Sequence, residues 1–307
     1  MATVSIGLPV FNGERYIEEA VHSLLSQTYQ DFELIICDNA SVDRTGEICR
    51  ALAEADERVK YLRNSENIGA GPNFNLAFKL SSGKYFKWAA HDDLCAPEYL
   101  AACIDVLERD PSVVLCHSGV VRIDQWGEPL PDYPGMLEGA DSPSVVRRFR
   151  ALTSLYHSCL DVFGVIRREV LAQTSLIASY VGADRNLLVE LGLRGRFHRV
   201  PARLFFSRDH PDRSLRALRF RERASWWDPK HAVRCRFPWW RFLGELLRAL
   251  KRSPLPAVRK IQCALTLLPW LRESWRFLYS DLQEGLRLKA AEREPQRPGR
   301  RGERVRV

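Results

Sequence analysis

FKWAAHDDLCAPEYL, residues 86–100, decides how this chain reads. Phe86, Trp88, Ala89 and Ala90 form an apolar run suited to a covered strand, and the run ends on two adjacent carboxylates, Asp92 and Asp93. Pro97 then opens a segment with helical spacing over 97–109. Two like charges directly after a buried strand repel one another, and one acid would suffice as a cap. A divalent cation prefers oxygen ligands and relieves that repulsion, and it would in turn neutralise a phosphate-bearing ligand.

The same punctuation recurs on either side. TVSIGLPV (3–10), FELIICD (32–38), RVKYLR (58–63) and KYFKWAA (84–90) read as strands, the second covered on both faces. Helices are expected over 14–27, where Ile17, Ala20, Val21, Leu24 and Leu25 share a face, over 44–55 and over 70–80. Further on, VVLCHSGVVRID (113–124) reads as one strand, or as two with a kink at Gly119. A Pro/Gly-rich loop over 125–143 is followed by a helix over 144–152, a strand-like LDVFGVI (160–166), helices from 167 and over 183–192, and an extended FHRVPARLFFSR (197–208). Strand alternating with helix predicts an α/β fold with a doubly wound, mostly parallel, Rossmann-like sheet.

Ligands of such a sheet bind beyond the carboxyl ends of its strands. The first strand ends in Pro9, Phe11, Asn12 and Glu14; the second in Asp38, Asn39, Ser41 and Asp43. The third ends in Asn64, Asn67 and Gly69, with Asn73 close behind, and the fourth in His91, Asp92 and Asp93. One such end is an ordinary cap or turn. Four on one edge point to a ligand. GxxxxGK[ST] is missing and no GxGxxG follows the first strand, which argues against a site built for ATP hydrolysis or for NAD.

The chain has 307 residues, 46% hydrophobic and 27% charged, enough for one large α/β domain with an appendage. The eight cysteines (37, 49, 95, 103, 116, 159, 235, 263) contain no CxxC pair and read as free, mostly buried thiols. No apolar run is long enough to span a bilayer, and MATVSIGLPV lacks the features of a signal peptide, so the expected compartment is the cytoplasm. Charge is uneven. Residues 216–307 hold 23 Lys and Arg against 9 Asp and Glu, a surplus of 14 positive charges, and six of the eight tryptophans. Residues 1–215 carry a net −6.

The set LPVFNGERYIEEAVHSLLSQTYQDFELIICDNASVDRT, NSENIGAGPNFNLAF and HDDLCAPEYL resembles glycosyltransferase family 2, the inverting enzymes of GT-A fold, over about residues 3–210. The resemblance implies that Pro9, Phe11, Asn12 and Glu14 line a nucleotide pocket. It implies that Asp38 accepts hydrogen bonds from the base or ribose, supported by Asn39 and Ser41, and that Asn67, Gly69 and Asn73 form the near wall of a nucleotide-sugar site. Asp92, with Asp93 beside it, would hold a divalent metal, Mn2+ or Mg2+. In YVGADRNLLVELGLRGRF, Asp184 matches the family's acceptor-side base. In FFSRDHPDRS, Arg208, His210, Arg213 and Ser214 would close over the diphosphate, His210 ligating the metal or contacting phosphate. The chain departs from the family at Ala90, where a full DxDD motif has Asp, and at Ala183, where Glu usually precedes the base.

The resemblance implies an inverting transfer of a sugar from a nucleoside-diphosphate sugar to an acceptor hydroxyl on a polysaccharide intermediate, a lipid-linked sugar or a small glycoside. Residues 1–215 are expected to form the catalytic domain, 216–294 a basic, Trp-rich helical extension and 295–307 a disordered tail. Helices are expected over 237–252, with Trp240, Leu243, Leu247 and Leu250 near one another, and over 261–282, broken at Pro269. Trp/Leu faces flanked by Arg suit an anionic membrane surface, or a subdomain packed on the catalytic domain. Nucleic-acid binding through this region is a third reading, without a recognised motif. A GT-A fold that binds sugar nucleotides without catalysis is a fourth.

Overall fold

A computed structural model of the chain describes residues 2–133, 137–154, 157–213, 226–227 and 237–293. β1 (Val4–Val10) and β2 (Phe32–Asp38) are buried at every residue, as apolar runs covered on both faces should be. With β3 (Val59–Arg63) and β4 (Tyr85–Trp88) they form a parallel block in the order β3-β2-β1-β4. The crossovers are α1 (Ile17–Leu25), α2 (Thr45–Ala55) and α3 (Ala70–Lys79). In α1, Ile17, Ala20, Val21 and Leu24 are the buried residues, the 3.6-residue stripe read from sequence. α3 packs so closely on β1 that a Cβ at Gly7 would lie 2.8 Å from Ala77 Cβ. This strand–helix contact therefore depends on glycine.

The second half of the sheet is mixed. α4 (Tyr99–Arg109) leads to β6 (Val113–Ile123), which runs parallel to β9 (Arg196–Arg208) along ten register pairs. β8 (Val165–Arg167) lies antiparallel between β4 and β6, and β5 (Leu94–Cys95) antiparallel to β9. A two-residue β7 (Pro129–Leu130) pairs with β6 inside the expected loop. The described residues thus form one mixed, mostly parallel sheet flanked by helices, consistent with the expected fold class. Residues 113–123 are one strand; Gly119 marks register shifts against β9 and not a break.

Three local expectations are corrected. Pro97 precedes the N-cap Glu98, so α4 starts two residues later than its proline suggested. LDVFGVI is a short 3-10 helix, Leu160–Phe163, followed by β8. The helix expected from 167 is the single turn α6 (Arg168–Leu171).

α5 (Val145–Thr153) and α7 (Ala183–Gly192) carry the C-terminal helices α8 (Pro238–Arg252), α9 (Ala257–Leu265) and α10 (Leu267–Arg293). α8 lies on α7, α9 on α5, and α10 on α8. The buried face of α8 is Phe242, Leu246, Ala249 and Leu250, whereas Trp240 and Leu247 of the expected face are exposed. The break between α9 and α10 falls at Thr266, three residues before Pro269, whose missing N–H cannot serve the Leu265 carbonyl. One core runs from Phe86 and Trp88 through Leu187, Leu188 and Leu191 to Leu246 and Trp270. A buried carboxylate secures the junction: Glu190, 1% exposed, accepts from the half-exposed Arg252 at 2.7 Å and from Ser175 Oγ at 2.5 Å. The seven described cysteines are free, and all but Cys159 are buried. Among the described residues no helix is long and apolar enough to cross a membrane.

Candidate active site

The carboxyl ends of β1 to β3 are tied together by short side chains. Asp38, fully buried, accepts from the Ser41 N–H at 2.8 Å, the Tyr61 hydroxyl at 2.8 Å and Arg63 Nη1 at 3.0 Å. The Asn12 N–H donates to Ser41 Oγ, and Asn12 Oδ1 accepts from the Val42 N–H. Glu14 accepts from the Arg44 N–H at 2.9 Å. Asn12 and Ala40 adopt left-handed backbone, φ 51° and 61°. Strain of this kind persists where surrounding bonds over-determine a turn, as they do here. An open groove of about 670 Å3 borders the turn, lined in part by Glu14, Ser41, Arg44, Arg50 and Arg63.

Beside this turn is a network of amides. Asn39 Nδ2 donates to Asn67 Oδ1 at 2.8 Å, and Asn39 Oδ1 accepts from Asn64 and from the Ile68 N–H. Asn73 reaches back to the Cys37 carbonyl at 2.7 Å and accepts from Asn64. Gly69, φ 91°, is the N-cap of α3. The structure therefore brings Asn12, Asp38, Asn39, Ser41, Asn67, Gly69 and Asn73 to one edge.

The fourth strand end meets the end of β9. His210 Nε2 and Asp92 Oδ2 lie 2.9 Å apart, and His210 packs on the Tyr16 ring. Asp93 Oδ1 accepts from the Arg208 N–H at 2.8 Å. The Arg208 guanidinium is buried beneath the loop, donating to the Asp92 carbonyl and to Glu19. Arg213 donates to the Tyr133 hydroxyl and to Ser207. Ser214 lies outside the described residues. Burial opposes ionisation of Asp92, but His91, His210 and Arg213 outweigh it and hold its carboxyl below the usual range. Asp93 is pushed up, first by burial and then by the charge of Asp92.

The donors suit a cation in part. His210 Nδ1 is buried with no hydrogen-bond partner among the described residues, and Asp92 is a hard oxygen donor. Yet no group of three or more His, Cys, Asp and Glu side chains is arranged for a metal among the described residues. Asp93, turned to the Arg208 backbone, is spatially adjacent but engaged elsewhere.

Asp184 sits in the first turn of α7, after Gly182 in a left-handed conformation. The cap position is thus Gly182, and Asp184 Oδ1 accepts from the Arg185 N–H at 2.8 Å. Burial raises its pKa. Ala183 is 1% exposed. The preceding loop is clamped to α3: Asn75 and Ile177 exchange two hydrogen bonds, and Trp227 donates to the Ala178 carbonyl while lying against Gly71. Arg185 itself binds the carbonyls of Ser154 and His157.

Tyr61 and Arg63 were not among the site residues read from the sequence. Tyr61 and Arg63 stand two apart on β3 and so share a face, which is the signal that could have placed them beside Asp38. Glu19 of α1 and its N-cap Tyr16 carry no comparable signal.

Residues 5–174 match the model of Glycosyl transferase family 2. An uncharacterized glycosyltransferase of Rickettsia typhi is 36% identical over 161 residues, 51% of this chain and 48% of that protein. The chain thus spans about half the length of that curated relative. Among solved structures, S. aureus TarS 1–349 in complex with UDP-GlcNAc superposes with a TM-score of 0.67 at 15% identity, covering 93% of this chain and 81% of that one. Mannosyltransferase PcManGT from Pyrobaculum calidifontis, in complex with GDP-Man and Mn2+, gives 0.55 at 19% identity, covering 94% and 75%. At those identities the likeness establishes the fold alone. The family match spans more than half of the chain and includes all four strand ends that build the polar edge, Asp92 and Asp93 among them, and on that basis the chain belongs to glycosyltransferase family 2.

Proposed function

We propose that this chain is an inverting glycosyltransferase that moves a sugar from a nucleoside-diphosphate sugar to an acceptor hydroxyl, in polysaccharide or glycoconjugate synthesis. The observation that carries the reading is the Asp92–His210 pair standing on the same sheet edge as the Asp38 and Asn39 turn. The turn around Pro9, Phe11, Asn12 and Glu14 would receive the nucleoside, and the wall at Asn67, Gly69 and Asn73 would face the donor. The two complexes named above, one with UDP-GlcNAc and one with GDP-Man and Mn2+, support a sugar nucleotide as donor.

Asp92 and His210 would hold a divalent cation, whose role is to neutralise charge on the departing diphosphate. Asp184 takes the proton of the acceptor hydroxyl. The freed oxygen pair attacks the anomeric carbon as the bond to the diphosphate oxygen breaks, inverting the configuration in one displacement. A raised pKa suits a carboxylate in that role, because it makes a stronger base. Two C-terminal tryptophans are engaged in packing rather than free for base stacking: Trp239 stacks on Phe277 and Trp240 Nε1 donates to the Leu278 carbonyl.

Asp184→Asn tests the assignment. Transfer should be lost while nucleoside-diphosphate binding persists, and normal turnover would refute it. Binding without transfer in the wild-type protein would instead favour a non-catalytic sugar-nucleotide binder, the reading to which Ala90 and Ala183 point.

A further inference from the structure

The C-terminal helices bury one face and leave another bare. α9 and α10 are joined at Thr266, whose φ of −70° and ψ of −10° keep the helical turn, so their residues share one periodicity. On the bare side Val258, Ile261, Leu265, Leu268, Trp275 and Tyr279 are each 55–66% exposed. Their spacing follows steps of three and four residues, and the one step left out of that series, residue 272, is an exposed Arg. Cys263, Leu267, Trp270 and Leu278 are the buried side of the same helices, so the bare stripe is separate from the core. Arg276 lies over the Trp275 ring at 5.6 Å. Glu273 and Glu284 fall outside the three-and-four series.

We propose that this stripe rests on an anionic membrane surface, its apolar side chains seated at the headgroup–acyl boundary and Arg272 and Arg276 reaching lipid phosphates. Charge selects this occupant first: over 258–279, Arg259, Lys260, Arg272 and Arg276 stand against a single acid, Glu273. Trp275 and Tyr279 combine an apolar body with a polar edge, the combination favoured at that depth. A second copy of the chain fits less well. A self-paired seam would hold Arg272 among apolar residues, with no acid in the series to meet it. In lipid, by contrast, an arginine stem covers apolar surface while its head stays hydrated. The helices lie on such a surface and do not cross it, since none of the described ones is long and apolar enough. The inference is independent of the donor assignment.

Sedimentation of the full chain with vesicles tests it, using phosphatidylcholine alone and equal parts of phosphatidylcholine and phosphatidylglycerol. Binding to the mixed vesicles is expected to exceed binding to the neutral ones by about tenfold and to weaken with salt. The double variant Ile261→Glu/Leu265→Glu should lose about tenfold or more, because two exposed apolar side chains no longer bury. Both positions are exposed, so an unchanged thermal melt would confirm that the variant folds. Arg272→Glu should weaken binding to the mixed vesicles selectively. Three results would overturn the proposal: no pelleting with either vesicle, equal pelleting by the double variant, or a solution dimer without pelleting that the double variant dissolves. The last would assign the stripe to a second copy.

Discussion

Glu33 offers the sharpest test of the electrostatics that hold the sheet together. It projects from the amino-terminal half of β2, where its side chain is 8% exposed. It accepts from Ser5 Oγ at 2.6 Å, from the Ser82 N–H and hydroxyl at 3.1 and 3.0 Å, and from Lys60 Nζ at 2.6 Å. Burial alone would push this carboxyl up. The bonds from Lys60, Ser5 and Ser82 outweigh it and hold the carboxyl at about 2, against an ordinary 4.5. A carboxyl depressed by folding contributes stability above its unfolded value, lost as pH falls through the folded one. The contribution here is roughly 3 kcal/mol at pH 7, begins to fade below about pH 5, and is mostly gone near pH 2. At about pH 3 roughly 2 kcal/mol of it has been lost. Glu33→Gln cannot ionise, so its own stability lacks this component. Urea unfolding of both proteins at low ionic strength, followed by tryptophan fluorescence at pH 7 and at pH 3, isolates the effect. The stability gap between them should narrow by about 2 kcal/mol at the lower pH. A gap of equal size at both values would refute the reasoning, because titration of Glu33 would then not be linked to folding.

Asp38→Asn should cost about 2–3 kcal/mol of stability, read as a lower urea midpoint at unchanged slope, because an amide nitrogen would face Tyr61 and Arg63 in place of a carboxylate oxygen. A loss below about 0.5 kcal/mol would mean that those bonds do not hold the turn. Asp184→Asn should lower the turnover number by about a hundredfold or more while leaving the donor KM near that of the wild type, as expected when only a proton-transfer role is removed.

Much of the parallel block was legible because β1, β2 and β4 are buried, mostly apolar runs followed within a few residues by Asp or Asn, whereas the mostly exposed β3 was read from its β-branched and aromatic residues. FELIICD could be read as a doubly covered strand, and Asp38 as its polar terminus, from residue type alone. That Tyr61 and Arg63 would both donate to Asp38 could not, since those bonds depend on the register of β2 against β3. β5, β7 and β8 are two or three residues long, too short for any periodicity, and pairing alone defines them. The proximity of Asp92 and His210 joins residues 118 apart in sequence, and only β9 returning alongside β5 brings it about. In α8 the apolar positions were visible, but two candidate faces overlap, and contact with α7 selects Phe242 and Leu246 over Trp240 and Leu247.

The central claim is that the polar edge of the sheet receives a nucleoside diphosphate with a divalent cation. Thermal unfolding in the presence of UDP, GDP or dTDP, each with and without Mn2+, tests it most directly. A ligand at about a hundred times its Kd stabilises by about 2.7 kcal/mol, which corresponds to a rise in Tm of about 4 °C for a chain of this size. The account predicts such a rise for at least one nucleotide, larger with Mn2+ than without, and loss of the Mn2+-dependent part in Asp92→Asn. No shift with any of the three nucleotides, with or without the cation, would contradict it.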